Sequence, residues 1–207
     1  MIKLISLLCL SLFATAVCAQ EMAPDVMIKK ITNEVIGIVK QDKDIKAGDR
    51  AKINALVDAK VLPHFNFDRM TALAMGRNWR KADAEQKKVL VREFRTLLVN
   101  TYSGALAAYK NEVIEFMPLH AAAGATDVTV RTQVKRPGAE SIGIDYSMEK
   151  TPDGWKVYDV AVAGVSLVTN YRDTFNSEIN RSGVDGLIKV LERKNRSLDS
   201  QAGGKSK

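Results

Sequence analysis

Apolar and polar positions follow two periods along this chain, and the changeover divides it. From residue 21 to residue 109 apolar side chains recur every three or four positions, the spacing of helices with one buried face. Val26, Ile28, Ile31, Val35, Ile38 and Val39 mark a first helix over 21–42, with Pro24 and Asp25 at its start, where a missing N–H and a negative charge both suit a helix. Ile53, Leu56, Val57 and Val61 mark a second over 49–62, which Pro63 ends. Asn66 caps a third through Met75; Phe67, Met70, Leu73 and Ala74 form its apolar side and Gly76 closes it. Asp83 and Gln86 have capping-box spacing and open the longest helix, 83–109. Its stripe is Leu90, Phe94, Leu97, Leu98, Thr101, Tyr102, Ala105 and Tyr109, and small residues thin its second half.

From Glu112 the period drops to two. Strands are predicted at 113–119, at 127–135 with Val128, Val130, Thr132 and Val134 on one face, and at 141–150. In the third strand Ile142, Ile144, Tyr146 and Met148 point inward while Asp145, Ser147 and Glu149 point outward. A fourth runs from Gly154 to a break at Gly164. The connecting turns, Arg136–Pro137–Gly138 and Thr151–Pro152–Asp153–Gly154, are short, which favours an antiparallel meander. Ser166 then caps a helix through Val168, Tyr171, Phe175 and Ile179; Gly183 interrupts it, and Val184, Leu187, Ile188 and Leu191 form a last amphipathic segment before a polar tail. The pattern predicts an α+β single domain, a helical layer packed on a curved four-stranded antiparallel sheet, with the long helix across it.

The first residues change where this domain is placed. Lys3, an apolar run through Val17 and the small exit Val17–Cys18–Ala19 read as a cleavable signal peptide over 1–19. A lipoprotein signal ending at Cys18 is the rival, disfavoured by Val17. The chain then divides into the signal, a domain over 20–196 and a flexible polar tail over 197–207. Both cysteines, Cys9 and Cys18, fall in the signal, so an exported product is expected to hold together by core burial without disulfides. The location this implies is a bacterial periplasm. Net charge is +7, which suits anionic lipid headgroups or acidic protein surfaces better than nucleic acid in that compartment.

Candidate chemistry is sparse. With two histidines, His64 and His120, and no cysteine beyond the signal, no metal site or other cofactor is expected. No glycine-rich phosphate loop and no nucleophile elbow is present. Asp145 and Asp159 are the acids to test as a general base, but both fall out of phase with the inward residues, where nothing desolvates them. Cross-strand or turn pairing is the expected role. Lys88, Arg92 and Arg95, with Arg77, Arg80 and Lys81, form a candidate docking patch, against the commoner reading of a solvated helix face. The inward stripes remain as a candidate site; periodicity does not distinguish a filled interior from one that admits a guest.

Four pieces of the sequence in order resemble the MlaC family, the toluene-tolerance auxiliary proteins of phospholipid ABC transport systems. They are Val61–Leu62–Pro63–His64–Phe65 with Met70–Thr71–Ala72–Leu73–Ala74–Met75–Gly76–Arg77–Asn78–Trp79; Phe94–Arg95–Thr96–Leu97–Leu98 to Thr101–Tyr102–Ser103–Gly104–Ala105–Leu106; Trp155–Lys156–Val157–Tyr158–Asp159 with Gly164–Val165–Ser166–Leu167–Val168–Thr169–Asn170–Tyr171–Arg172; and Gly183–Val184–Asp185–Gly186–Leu187. Asn78 departs from the pattern, which has an aromatic before Trp79, and Ala84 stands where relatives often have Pro. The resemblance implies a cone like that of nuclear transport factors and no catalysis. It implies a monomeric periplasmic shuttle that buries phospholipid tails. Its partners would be an outer-membrane lipoprotein–porin complex and an inner-membrane ABC transporter with an MCE-domain subunit, in a system that maintains outer-membrane asymmetry. The lipid-binding residues it implies are Phe65, Met70, Leu73, Phe94, Leu98, Tyr102, Leu106, Tyr109, Val128, Val130, Ile142, Ile144, Tyr146, Tyr158, Val160, Val162, Val165, Val168 and Tyr171. Another hydrophobic guest, a hopanoid or a solvent, is the alternative; a cone-fold lyase or isomerase is a further one.

Overall fold

The computed structural model describes residues 22–203. The predicted signal peptide lies outside them, as does the end of the predicted tail.

The helical half forms where the apolar spacing placed it, and its ends are set by side chains that occupy otherwise unpaired backbone groups. Helix α1, Pro24–Gln41, begins on its proline and buries Met27, Ile28, Val35 and Val39. Asp42 ends it and caps the single turn α2, Lys43–Lys46, accepting from the N–H groups of Asp44 and Ile45. Asp49 caps α3, Arg50–Lys60. A 3-10 turn, Leu62–His64, takes up Pro63. Asn66 caps α4, Phe67–Met75, by accepting from the Arg69 N–H at 3.0 Å. The chain then makes a second 3-10 turn, Gly76–Lys81, before α5, Ala84–Tyr102, whose capping box of Asp83 and Gln86 forms as predicted. The long helix is shorter than its stripe. It tightens into a 3-10 turn over Ser103–Leu106, at the Ser-Gly pair where helix propensity is weakest.

Strands β1 (Val113–Phe116), β2 (Asp127–Arg136), β3 (Ala139–Thr151), β4 (Gly154–Val162) and β5 (Val165–Ser166) make an antiparallel meander in chain order. The sheet thus has five strands rather than four; β5 is two residues long, too short to leave a period. β1 ends before the predicted 119 because Pro118 has no N–H to continue the ladder after Met117 bonds Arg131. The far edge of β4 is shielded at both ends. β5 pairs there with Ala161 and Val162, and Phe65 bridges Val157 in parallel, the Asn66 N–H reaching the Val157 carbonyl at 2.8 Å.

The last helix, α6 (Leu167–Gly203), bends at Gly183, where φ is 71° and ψ −175°. Glycine is required there because that φ strains any residue with a Cβ. Gly186, one turn on, has no room for one: a Cβ would lie 1.9 Å from the Ser182 hydroxyl. After the bend the helix folds back along α5. Gln86 donates to Asp185 at 2.7 Å, Asn195 to the Glu93 carbonyl at 3.0 Å, and Asn100 to Asp199 at 2.9 Å. The segment expected as a flexible tail from 197 is therefore helical to Gly203, with Leu198 packed on the helical core.

This packing also changes which helix covers the sheet. Phe94, Leu90 and Leu97 of α5 are fully buried among α4 and α6, with Phe94 edge-on to Tyr171 and Phe175 at 5.2 and 5.1 Å. Its apolar stripe is used within the bundle. The helix that meets the sheet's inner face is α1, through Met27, Ile28 and Ile31.

Candidate functional site

Strand register aligns the inner face of the sheet in rows. Val128, Met148 and Val157 form the first; Val130, Tyr146 and Val160 the second; Thr132, Ile144 and Val162 the third; Val134 and Ile142 the fourth. Burial falls along them. The first row lies under α1 and is 8 %, 0 % and 0 % exposed. In the second and third rows only the β2 members, Val130 and Thr132, are buried; Tyr146, Val160, Ile144 and Val162 are half-buried. So are Val134 and Ile142. An aliphatic wall that begins as closed core thus ends incompletely covered.

The buried apolar side chains of the described residues accordingly form three clusters instead of the single contiguous core usual for a domain. One joins α4, α5 and α6; one joins α1 to the sheet; one joins α1, α2 and α3. Phe65 touches the first two and Ile31 the last two.

The nineteen predicted lining residues distribute over this arrangement. Met70, Phe94, Leu98 and Val168 are buried in the helical cluster, with Leu73 and Tyr171 at its margin. Val128, Val130, Tyr146 and Val160 belong to the sheet cluster, and Leu106 and Tyr109 border the third. Ile142, Ile144 and Val162 stand on the open rows, outside all three. Tyr102 and Val165 are 39 % and 58 % exposed.

Tyr158 is separated from its expected neighbours. Alternation places it with Val160 and Val162, but Ser147 pairs with Asp159 and Met148 with Val157, so Tyr158 is the extra residue of a bulge. It turns toward α4. The Arg69 guanidinium stacks on its ring at 3.5 Å, and its hydroxyl donates to Asp127 at 2.7 Å. Arg69 also donates to Glu149 at 2.6 Å and to Asp127 at 3.0 Å, and Asn66 donates to Glu149 at 2.7 Å. This group ties the start of α4 to β2, β3 and β4. Only the Asn66 cap was legible beforehand; the partners are some 80 residues apart in sequence.

Polar groups elsewhere take structural roles. Asp145 lies opposite Arg131 at 3.9 Å, a cross-strand pair. Asp159 accepts from Ser166 and from the Val168 N–H, while Ser166 accepts from the Thr169 N–H at 3.0 Å, so both secure the start of α6. Asn78, unexpected before Trp79, is 3 % exposed and donates to Asn176 of α6 at 2.6 Å. Two hydroxyls interrupt the apolar wall, those of Tyr146 and Thr132; the Thr132 hydroxyl donates to the Ile144 carbonyl at 3.0 Å. Burial pushes Tyr146 up from the usual phenol range, and Tyr171 likewise, where the Tyr102 hydroxyl reinforces the effect. Burial, aided by Lys156, pushes His64 down.

The six docking candidates separate into two sets. Lys88, Arg92 and Arg95 are paired, with Glu85 at 2.7 Å, Glu93 at 3.0 Å and Asp58 at 2.8 Å. Arg77, Arg80 and Lys81, on the 3-10 turn before α5, are exposed and have no partner among the described residues.

A family model described as MlaC protein matches residues 29–193. The intermembrane phospholipid transport system binding protein MlaC of Haemophilus influenzae is 21 % identical over 182 residues, covering 86 % of this chain and 85 % of that protein. Toluene tolerance protein ttg2D of Pseudomonas putida is 28 % identical over 173 residues, covering 82 % and 78 %. A phospholipid-binding protein from Ralstonia solanacearum, solved in complex with a phospholipid, superposes with a TM-score of 0.81 at 38 % identity, over 86 % of this chain and 99 % of that one.

Proposed function

The chain belongs to the MlaC family, and from that premise we propose that it is a periplasmic phospholipid carrier that exchanges its cargo between membrane-bound complexes of an ABC transport system. The observation that carries the reading is the half-covered aliphatic wall of Ile142, Ile144, Val160 and Val162. Each methylene moved out of water is worth about 0.8 kcal/mol, so a sixteen-carbon tail represents roughly 12 kcal/mol. A lipid does not cross water at a useful rate against such a cost. A protein that offers the tails apolar side chains removes most of it, and needs no carboxylate or imidazole to do so; the four rows contain neither. The reading is therefore one of binding without catalysis.

In this reading Tyr146 joins that wall in lining the tails, with Tyr102, Val165 and Tyr171 at the mouth, whereas Met70, Phe94, Leu98 and Val168 are packed within the helical bundle and Tyr158 on Arg69. Arg77, Arg80 and Lys81 are the free cations for an acidic surface on a protein partner, an outer-membrane lipoprotein–porin complex or an inner-membrane MCE-domain transporter. Lys88, Arg92 and Arg95 must first give up their own acids. Exchange between two such partners would serve outer-membrane lipid asymmetry.

Organic extraction and mass spectrometry of the purified protein test the cargo. Phospholipid is expected; a preparation that neither contains phospholipid nor takes it up from vesicles overturns the reading, and a hopanoid or solvent in its place identifies another guest.

A further inference from the structure

Helix α6 makes a hairpin about α5. Its first half leaves β5 beside the last turn of α5, where the Tyr171 hydroxyl comes close enough to that of Tyr102 to feel it. It then runs toward the start of α5, where Asn176 meets Asn78. Beyond Gly183 the second half returns alongside α5, from Gln86 to Asn100. The end of α6 thus comes back to the end of α5 that carries Tyr102.

The charges of this returning half are sorted. Its acids are engaged along α5: Asp185 and Asp199, both exposed, accept from the side-chain amides of Gln86 and Asn100, and Glu192 is half-buried. Its cations Lys189, Arg193, Lys194 and Arg196 are all exposed and have no hydrogen bond or ion pair among the described residues. Arg193 is felt by Glu178, but that acid is already engaged by Ser182 and Arg181. Positions 189, 193 and 196 share one helix face and span about 10 Å at the rise of an α-helix.

We propose that this outward face of α6 docks on an anionic phospholipid bilayer, which brings the Tyr102 end of α5 to the membrane surface. Protein contacts draw most of their energy from a few anchors packed in desolvated pockets, and fully exposed cations at a rim contribute little. The exposed large apolar side chains, Met22, Val26, Tyr102, Val113 and Val165, all lie outside this face. Attraction of clustered cations to anionic headgroups needs no fitted pocket. The inference rests on the carrier reading for its purpose, and the two are tested separately.

The test is co-sedimentation of the purified protein with phosphatidylcholine vesicles, with and without phosphatidylglycerol, at low and high salt. Binding is expected only where phosphatidylglycerol is present, and it falls as salt screens the contact. Each cation near such a surface is worth roughly a five-fold gain in partition, so Arg193→Ala with Arg196→Ala should lower binding by roughly 25-fold. Lys30→Ala with Lys87→Ala removes the same charge elsewhere and should change it little. Unfolding midpoints matching the wild type show that the variants are folded. Equal binding to both vesicle types overturns the proposal. So does undiminished binding of the α6 double variant, including the case where that variant instead fails to dock on a protein partner. Extraction of the same preparations reports the cargo independently.

Discussion

Arg69 shows how much one side chain contributes here. It stacks on Tyr158 and bonds Glu149 and Asp127, so it holds α4 to three strands at once. Its partner Glu149 has a side chain only 20 % exposed, whereas that of Asp127 is 50 % exposed. Truncation leaves Glu149 without its cation, so Arg69→Ala should cost about 1–2 kcal/mol in urea unfolding. Asp127→Ala should cost less, because exposed pairs are screened. A double-mutant cycle of Arg69 with Glu149 should show coupling, since the two share one network. His64 has a pH signature of its own. Its folded pKa lies below the ordinary value of 6.5, so the unfolded chain binds its proton more readily. The contribution is present above about pH 6.5 and is lost as pH falls through the folded pKa. Melting temperature should fall less steeply between neutral and mildly acidic pH in His64→Gln than in the wild type.

At the scale of elements, α6 and β4 depart from regularity for identifiable reasons. The bend at Gly183 lets one helix pack against α5 twice. Gly183→Ala forces a Cβ into a positive-φ conformation and should destabilise by about 1–2 kcal/mol, read by chemical denaturation. At Gly186 the obstacle is Ser182, whose Oγ and Cβ would lie 1.9 and 2.4 Å from an added Cβ. Gly186→Ala alone should be strongly destabilising, and adding Ser182→Gly should recover part of the loss; a purely additive pair would show that Ser182 is not the obstacle. In β4 the bulge rotates Tyr158 out of the row of Val160 and Val162 and into contact with α4. One extra residue in a strand thereby anchors the bundle and sets where the aliphatic wall begins.

At the scale of the molecule, the proposed lipid site is the region where three clusters fail to merge. Val160 stands on the sheet wall, half-buried, with Tyr146 and Val130 in its row. A carboxylate there would face apolar tails, and burying an unpaired charge costs several kcal/mol. Val160→Glu is expected to remove co-purifying phospholipid, while Asp145→Asn, which loses only the exposed pair with Arg131, should retain it. Equal lipid content by mass spectrometry in the two variants would place the tails elsewhere.

Much of this was legible along the chain. Helix periods, the caps at Asn66, Asp83 and Ser166, the alternation of β2 and β3 and the outward phase of Asp145 and Asp159 depend on neighbours within a few residues, and local sequence specifies them. The ordered motifs likewise carried the family. Tertiary structure alone decided that α1 and not α5 meets the sheet, that Tyr158 leaves its row, and that Lys88 is paired while Arg80 is free. It also decided that the last helix folds back with its cations outward. Each of these is a choice among partners up to a hundred residues away. Any apolar stripe fits several faces equally well by pattern, and the packing of the whole chain selects one.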